Sequence, residues 1–381
     1  MTVSIWQADG TQPVREVDFL IIGAGIVGCA AAIFARQAGH EVVIVDKDDL
    51  ALGASSRNAG FMITGLDVYY HYGIEHYGHA AARELWALSA KTHRYWREFA
   101  REGGGVRMDE CGSMLLAESD EEAKELELAA RALNTDGIEA IFHATDPLRR
   151  GFCAAVEQPW DAAVQPYELA QALLRVGGAE FIPNCEVYAL CQAGPHGAEV
   201  DSRRYRFKAR HVLLCTNAFS VFVHPYFIGK VIPTRAQVLA TAPLPEKIID
   251  TCGYSDYGYM YYRMTFDNRL LLGGGRKLYQ DLESSSVDML SAPVQAYLDA
   301  YLKRRFPDVT VPVERRWGGI MGFSADGLPM VGTLPDMPSI GFAVGFHGHG
   351  LAFGAGVAER AVDKVLNGTH AGAVDAGRFE K

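Results

Sequence analysis

Hydrophobic positions in this chain of 381 residues fall first into a compact strand, helix, strand pattern. Phe19 to Ala35 carries no charged side chain. Its first half, Phe-Leu-Ile-Ile, has strand composition, and its second half is an Ala-rich stretch that reads as a helix to Ala38. Gly39-His40 ends that helix, and a second apolar strand, Val42-Val-Ile-Val, closes on Asp46. The uncharged run approaches the roughly 18 residues of a membrane span. Its three glycines and strand-like start argue against one.

Further along, spacing predicts a helix from Ile74 to Glu102, with Trp86, Leu88, Thr92, Tyr95, Trp96 and Phe99 supplying its core positions. Cys111 to Ala117 reads as a strand and Asp120 to Asp136 as a charged helix ending near Gly137. A helix begins around Val164 to Ala170 and runs to Gly177. Phe181 to Tyr188 is extended, and Arg210 to Phe219 is a buried strand that turns through small polar residues. These late strands, far from the first Gly-rich turn, imply a discontinuous nucleotide domain interleaved with a second one. In the second domain, a strand from Tyr257 to Met264 places Tyr257, Tyr259, Tyr261 and Arg263 on one face. Asp267-Asn268 is a hairpin turn leading to Leu270 to Gly273. Near the end, the Gly-rich turn Gly345 to Gly350 opens a helix from Leu351 to Asn367.

Composition narrows the function classes. A net charge of −10 disfavours nucleic acid or an anionic membrane as partner. Seven cysteines without a CxxC pair fit reduced thiols rather than a disulfide framework or zinc site. No secretory pattern precedes the first strand, so a cytoplasmic protein is expected. His71, His76 and His79 do not share one helical face, and no metal site is expected there.

The chemistry lies in the turns. Gly23-x-Gly25-x-x-Gly28 follows the first strand: Gly23 allows the tight turn, Gly25 admits a pyrophosphate to the backbone, and Gly28 lets helix and strand pack. Asp46, at the end of the next strand, is placed to accept from a ribose hydroxyl, and the helix N-terminus offers free N–H groups. The segment Leu52-Gly-Ala54-Ser55-Ser56-Arg57-Asn58-Ala59-Gly60 is a small-residue loop with one fixed cation, able to approach a cofactor closely.

Taken with Tyr262 to Gly275, Trp317-Gly-Gly and Gly345-Phe-His-Gly-His-Gly350, these motifs resemble the flavin amine and amino-acid oxidoreductases of the D-amino-acid oxidase superfamily, which contains glycine oxidase and sarcosine oxidase. The resemblance spans Asp18 to Leu366 and is greatest to the branch of γ-glutamylputrescine oxidase, which oxidises amines. It implies an α/β fold: a doubly wound, glutathione-reductase-like Rossmann domain for FAD, interleaved with a predominantly antiparallel α+β substrate domain. The expected FAD-binding parts are 1–85, 148–225 and 315–381, and the substrate-binding parts 86–147 and 226–314.

The implied cofactor residues are Gly23, Gly25, Ile26, Val27, Gly28, Asp46, Lys47, the loop Ala54 to Gly60, Val187, Thr216, Asn217, Gly319, Phe346, Gly348, His349, Gly350 and Leu351. Tyr259, Tyr261, Arg263, Met321 and Phe346 are expected at the substrate, and His347, His349 and Arg235 are the candidates for catalysis. The Cys and His through which some relatives attach flavin are missing, since Gly322-Phe-Ser-Ala and Ser55-Ser-Arg-Asn stand there, so FAD is expected to be non-covalent. Met321 stands where glycine oxidase-like members carry the Arg that grips a substrate carboxylate. The expected substrate is therefore an amine, or an amino acid whose carboxylate is distant from the oxidised carbon, with Arg263 or Arg235 as replacements for the lost Arg in the competing amino-acid oxidase reading. The reaction implied is hydride transfer to flavin N5, hydrolysis of the resulting imine and reduction of oxygen to hydrogen peroxide. Leu271, in place of a Lys that promotes reaction with oxygen in relatives, keeps a dehydrogenase using a quinone or other carrier open. A nicotinamide-dependent reductase and a flavin-bearing scaffold subunit are the readings from other classes. The oligomeric state stays open.

Overall fold

The computed structural model describes Trp6, residues 12–194 and residues 197–380. The opening pattern folds as its periodicity predicts: strand Val14–Ile22, helix Ile26–Gln37, strand Val42–Val45. The two strands pair in parallel, with Phe19 opposite Val42 and Ile22 opposite Val45. Glu180–Ile182 continues the parallel sheet on one side, and Arg206–Leu214 joins Val14–Ile22 on the other. Met337–Val344 then adds in parallel beside Arg206–Leu214. Antiparallel strands Val187–Gln192, Ala198–Ser202 and Met330–Leu334 complete this sheet.

Side-chain alternation divides its core in two. Phe19, Ile21, Ile44 and Leu213 face a helical layer, whereas Leu20, Ile22, Val45 and Leu214 enter the core on the opposite face. Burial on both faces explains why these strands read as unbroken apolar runs. Helices Ile26–Gln37, His79–Gly103, Pro166–Gly177 and Gly350–Asn367 form the layer. The glycines of the last helix set its close approach: a Cβ at Gly356 would stand 2.6 Å from Leu88 Cδ1.

A second sheet runs Val313–Ser324, Val231–Thr241, Leu270–Gly274, Met260–Met264, Cys252–Ser255, Ser113–Leu116, Ala155–Gln158, Ile141–His143. Its ladders are antiparallel except where Cys252–Ser255 meets Ser113–Leu116. The two sheets draw alternately on the chain, which is the interleaving expected.

Several boundaries differ from the sequence reading. The helix expected from Ile74 is two helices, Tyr70–Tyr77 and His79–Gly103, broken at Gly78 with φ 84°. The division expected at 85/86 cuts the second of these, whose Leu88, Trp96 and Phe99 belong to the core under the first sheet. Likewise Val313–Ser324 lies in the second sheet, across the division expected at 314/315. The tyrosine strand begins at Met260 rather than Tyr257, because Asp256 and Tyr257 take positive φ in a turn after Ser255. Among the described residues, no helix is long and apolar enough to cross a membrane.

Candidate functional site

One cavity of about 1320 Å³ runs from the first Gly-rich turn to the tyrosines of the second sheet. It exceeds the ~300–1,000 Å³ usual for a single small ligand. The dinucleotide end is built by local sequence. A Cβ at Gly23 would lie 2.5 Å from the Cys215 carbonyl oxygen, one at Gly25 would lie 2.8 Å from Ser55 Oγ, and one at Gly28 would lie 1.9 Å from the Gly23 carbonyl oxygen. Gly23, Gly25, Ile26 and Val27 line the cavity, whereas Gly28 acts behind it as the packing contact. Helix Ile26–Gln37 has no side-chain cap at Gly25, and Ser55 Oγ accepts from the Ile26 N–H at 3.0 Å.

Asp46 is held by two backbone donors: Ala24 N–H reaches Oδ2 at 2.7 Å and Asp48 N–H reaches Oδ1 at 3.0 Å. Burial raises its pKa, and these hydrogen bonds oppose that rise. Each oxygen keeps a lone pair for a ribose hydroxyl. Lys47, Val187 and Thr216 line the same end, with the Lys47 ammonium 4.8 Å from the Phe219 ring centroid.

The small-residue loop lies along the cavity through Ala54, Ser55, Arg57, Asn58 and Ala59. Ser56 and Gly60 do not line it. Ser56 Oγ donates to the Ala51 carbonyl, and the Gly60 carbonyl accepts from Val164 N–H. Arg57 braces the loop against the second sheet, donating to Asp288 and to the Gly318 carbonyl. Gly319, where a Cβ would meet Arg57 Cβ at 3.1 Å, completes this wall.

Opposite lies the N-terminus of helix Gly350–Asn367. Phe346, His347, Gly348, His349, Gly350 and Leu351 all line the cavity, and no side chain caps the helix. Its first N–H groups are therefore free to meet a ligand. The turn is fixed by Asn217, whose Oδ1 accepts from Gly345 N–H at 3.1 Å, and by His347 N–H donating to the Gly322 carbonyl at 2.9 Å. Asn217 thus acts through the turn as well as on the cavity wall. An intolerant glycine cradle, an acid beside it and an uncapped helix terminus together fit a dinucleotide flavin.

Beyond the turn the walls become aromatic. Tyr259, Tyr261 and Met321, the residues expected at the substrate, line the cavity together with Tyr69, Tyr254, Tyr257 and Phe323, which were not among the expected site residues. Burial holds the Tyr254 and Tyr261 phenols well above their ordinary pKa, so both are neutral O–H groups. Asp67, also unassigned, lies against both histidines of the turn, its Oδ2 3.1 Å from His347 Nε2 and its Oδ1 3.4 Å from His349 Nδ1. The His347 ring packs on Phe323 with centroids 4.0 Å apart.

Two expected residues are elsewhere. Arg235 is 3% exposed and turned away from the cavity, paired with Glu283 and donating to the Val287 and Leu282 carbonyls. Its neighbour Ala236 is the one on the cavity wall, as strand alternation requires. Arg263 continues the tyrosine face but is buried behind Gly60, donating to the Val164 carbonyl at 3.1 Å. Neither can replace a lost carboxylate-binding Arg in the cavity. His71, His76 and His79 each have a separate partner: Glu125, the Tyr72 carbonyl and Asp136. Besides His347 and His349 at Asp67, His40 and His211 meet at Asp18, where Arg210 already supplies a cation.

Comparison with known proteins agrees with this geometry. The chain is 24% identical to γ-glutamylputrescine oxidoreductase of Escherichia coli (strain K12), over 95% of this chain and 85% of that protein. It is 25% identical to glycine oxidase of Geobacillus kaustophilus (strain HTA426), over 88% of this chain and 89% of that one. The crystal structure of L-proline dehydrogenase from P. horikoshii has the same fold, with a TM-score of 0.79 at 20% identity, over 97% of this chain and 98% of that one. The family model described as FAD dependent oxidoreductase matches residues 18–364, and the chain belongs to that family.

Proposed function

We propose that this protein oxidises the carbon–nitrogen bond of an amine or amino acid to an imine, which water hydrolyses to a carbonyl compound, with oxygen reduced to hydrogen peroxide. The observation that carries this reading is the continuity of the cavity from the glycine cradle, past the helix terminus at Gly350, into a tyrosine-walled chamber containing Asp67 and His347. The names of the relatives, which include a γ-glutamylputrescine oxidoreductase and a glycine oxidase, support the substrate class.

FAD, when bound, supplies the acceptor for the hydrogen on the carbon beside nitrogen. The chain supplies the surroundings that make this transfer productive. An amine arrives largely as an ammonium ion, and Asp67 offers the carboxylate to receive it. His347 Nε2–H donates to that carboxylate and holds it in place. Transfer of the ammonium proton to the carboxylate or to solvent leaves the nitrogen lone pair free to stabilise the carbon as it is oxidised. His349 holds the other Asp67 oxygen. Tyr69 and Tyr257 stack with centroids 5.5 Å apart and help exclude water at the wall. The positive end of helix Gly350–Asn367 favours negative charge at the cavity centre.

Anaerobic titration of the yellow protein with a panel of amines and amino acids tests the reading. Bleaching of the flavin absorbance by at least one of them is expected. If dithionite bleaches the flavin and no amine or amino acid does, the reading is wrong.

A further inference from the structure

Arg276 is the cation that strand periodicity did not place. Strand Leu270–Gly274 ends in glycines: Gly274 and Gly275 have φ of 119° and 77°, and a Cβ at Gly274 would lie 2.0 Å from the Tyr259 carbonyl oxygen. Only glycine permits that left-handed exit. The exit turns the chain into the short helix Arg276–Leu278 and brings the Arg276 side chain to the cavity wall. There its guanidinium carbon lies 4.5 Å from the Phe323 ring centroid and 5.1 Å from that of Tyr259.

Its guanidinium is left without an ion pair among the described residues. Among the described residues no carboxylate pairs with Arg276, although its neighbour Lys277 pairs with Asp256 and Arg57, Arg235, Arg269 and Arg316 each hold an acid. Contacts with two ring faces orient a guanidinium and recover part of its lost hydration, but they leave its N–H fork open. Such a fork, on a cavity wall and in a chain of net charge −10, matches a planar carboxylate.

We propose that Arg276 is the anion receptor of the active site, and that the substrate is an amine bearing a carboxylate remote from the nitrogen that is oxidised. This rests on the amine-oxidation reading above and specifies it. The spacing of the walls sets the class. Arg276 lies against the Phe323 ring, that ring against His347, and His347 against Asp67, so two rings link the cation to the carboxylate. An α-amino acid carries its amine and carboxylate on one carbon and matches this arrangement less well than a longer chain. An ω-amino acid, or a longer amine ending in a carboxylate, can place its nitrogen by Asp67 and its anion in the Arg276 fork. Met321 makes no demand for a carboxylate at the reacting carbon, which agrees with this arrangement.

The experiment compares γ-aminobutyrate and ε-aminocaproate with their primary amides in the FAD-loaded wild type, R276Q and R276K. Two readouts are taken: the rate and saturation of anaerobic flavin reduction, and the binding of butyrate against butyramide, followed by calorimetry and by perturbation of the flavin absorbance. A charge-assisted fork contributes about 1.5–3 kcal/mol, so wild type should prefer carboxylate over amide by about tenfold to a hundredfold. R276Q should lose that preference through weaker binding at a similar limiting rate, and R276K should recover part of it. Equal binding of butyrate and butyramide by wild type, or a carboxylate preference that survives in R276Q, overturns the assignment. If no amine reduces the flavin, the functional reading fails while the butyrate measurement still decides whether Arg276 receives an anion.

Discussion

Asp67 Oδ2 lies 3.1 Å from His347 Nε2, joining the loop after the short strand Phe61–Met62 to the turn before helix Gly350–Asn367. His347 takes a positive φ of 50° there, and its Nδ1 is buried without a hydrogen-bond partner among the described residues. The tertiary fold thus leaves Nε2, the nitrogen beside Asp67, as the one in contact with a polar group.

If that pair receives the amine, removing the Asp67 charge should impair capture and deprotonation without emptying the flavin site. D67N is expected to keep its flavin content and lose about ten- to a hundredfold in kcat/KM for amines, the range for one charged hydrogen bond. Steady-state kinetics beside the flavin-to-protein absorbance ratio measure both. Unaltered kcat/KM would remove Asp67 from the mechanism.

Gly25 tests the cofactor end. Its Cβ position is already within 2.8 Å of Ser55 Oγ, and the cavity lies on its open side. G25L should fold but purify colourless, because the side chain fills the approach that a pyrophosphate needs. In the wild type, acid precipitation should release the flavin into the supernatant, as expected for non-covalent FAD. Flavin pelleting with the protein would reveal a covalent bond.

The fate of the electrons turns on a missing lysine. Leu271 is 6% exposed and packs with Ala59, Phe61 and Val238 behind the loop, and among the described residues the cavity's one lysine is Lys47, at the dinucleotide end. Stabilising a developing anion is commonly worth about 3 kcal/mol, or roughly two orders of magnitude in rate. Reduced protein mixed with oxygen in a stopped-flow instrument should therefore reoxidise more slowly than a lysine-bearing relative. Fast, stoichiometric peroxide formation would defeat the argument, whereas slow reoxidation with rapid dye reduction would make the protein a dehydrogenase.

Asp161 predicts a pH dependence of stability. It is fully buried, with Thr64 N–H donating to Oδ1 at 2.8 Å, and Ser113 Oγ and Gln158 Nε2 donating to Oδ2 at 2.5 and 2.9 Å. Burial pushes its pKa up to about 6, against an ordinary value of 3.8. The folded-state value is the higher one, so the protonated form favours folding. That contribution is complete below about pH 4 and is lost as pH rises through about 6, a swing of about 3 kcal/mol. Asn cannot ionise, so D161N should gain stability relative to wild type across that interval. Urea unfolding of both proteins across the interval measures the difference, and a difference independent of pH would refute it.

Sequence determined whatever depends on neighbours along the chain. Strand, turn, helix and acid succeed one another from Val14 to Asp46, so the cradle of Gly23, Gly25 and Asp46 was legible from spacing alone. The turn before Gly350 was legible in the same way, because glycine requirements at a helix entry are local. Tertiary structure decided which cations reach the cavity. Alternation puts Arg235 and Ala236 on opposite faces of one strand, but it does not say which face is the cavity, and packing on Glu283 took the arginine. Arg263 shares the face of Tyr261, yet the crossing of the Gly60 loop covers it. Arg276 lies beyond the end of its strand, where periodicity is silent and two left-handed glycines set its direction. Asp67 and His347 are 280 residues apart, and only the packing of their two loops on a shared core brings a carboxylate against an imidazole.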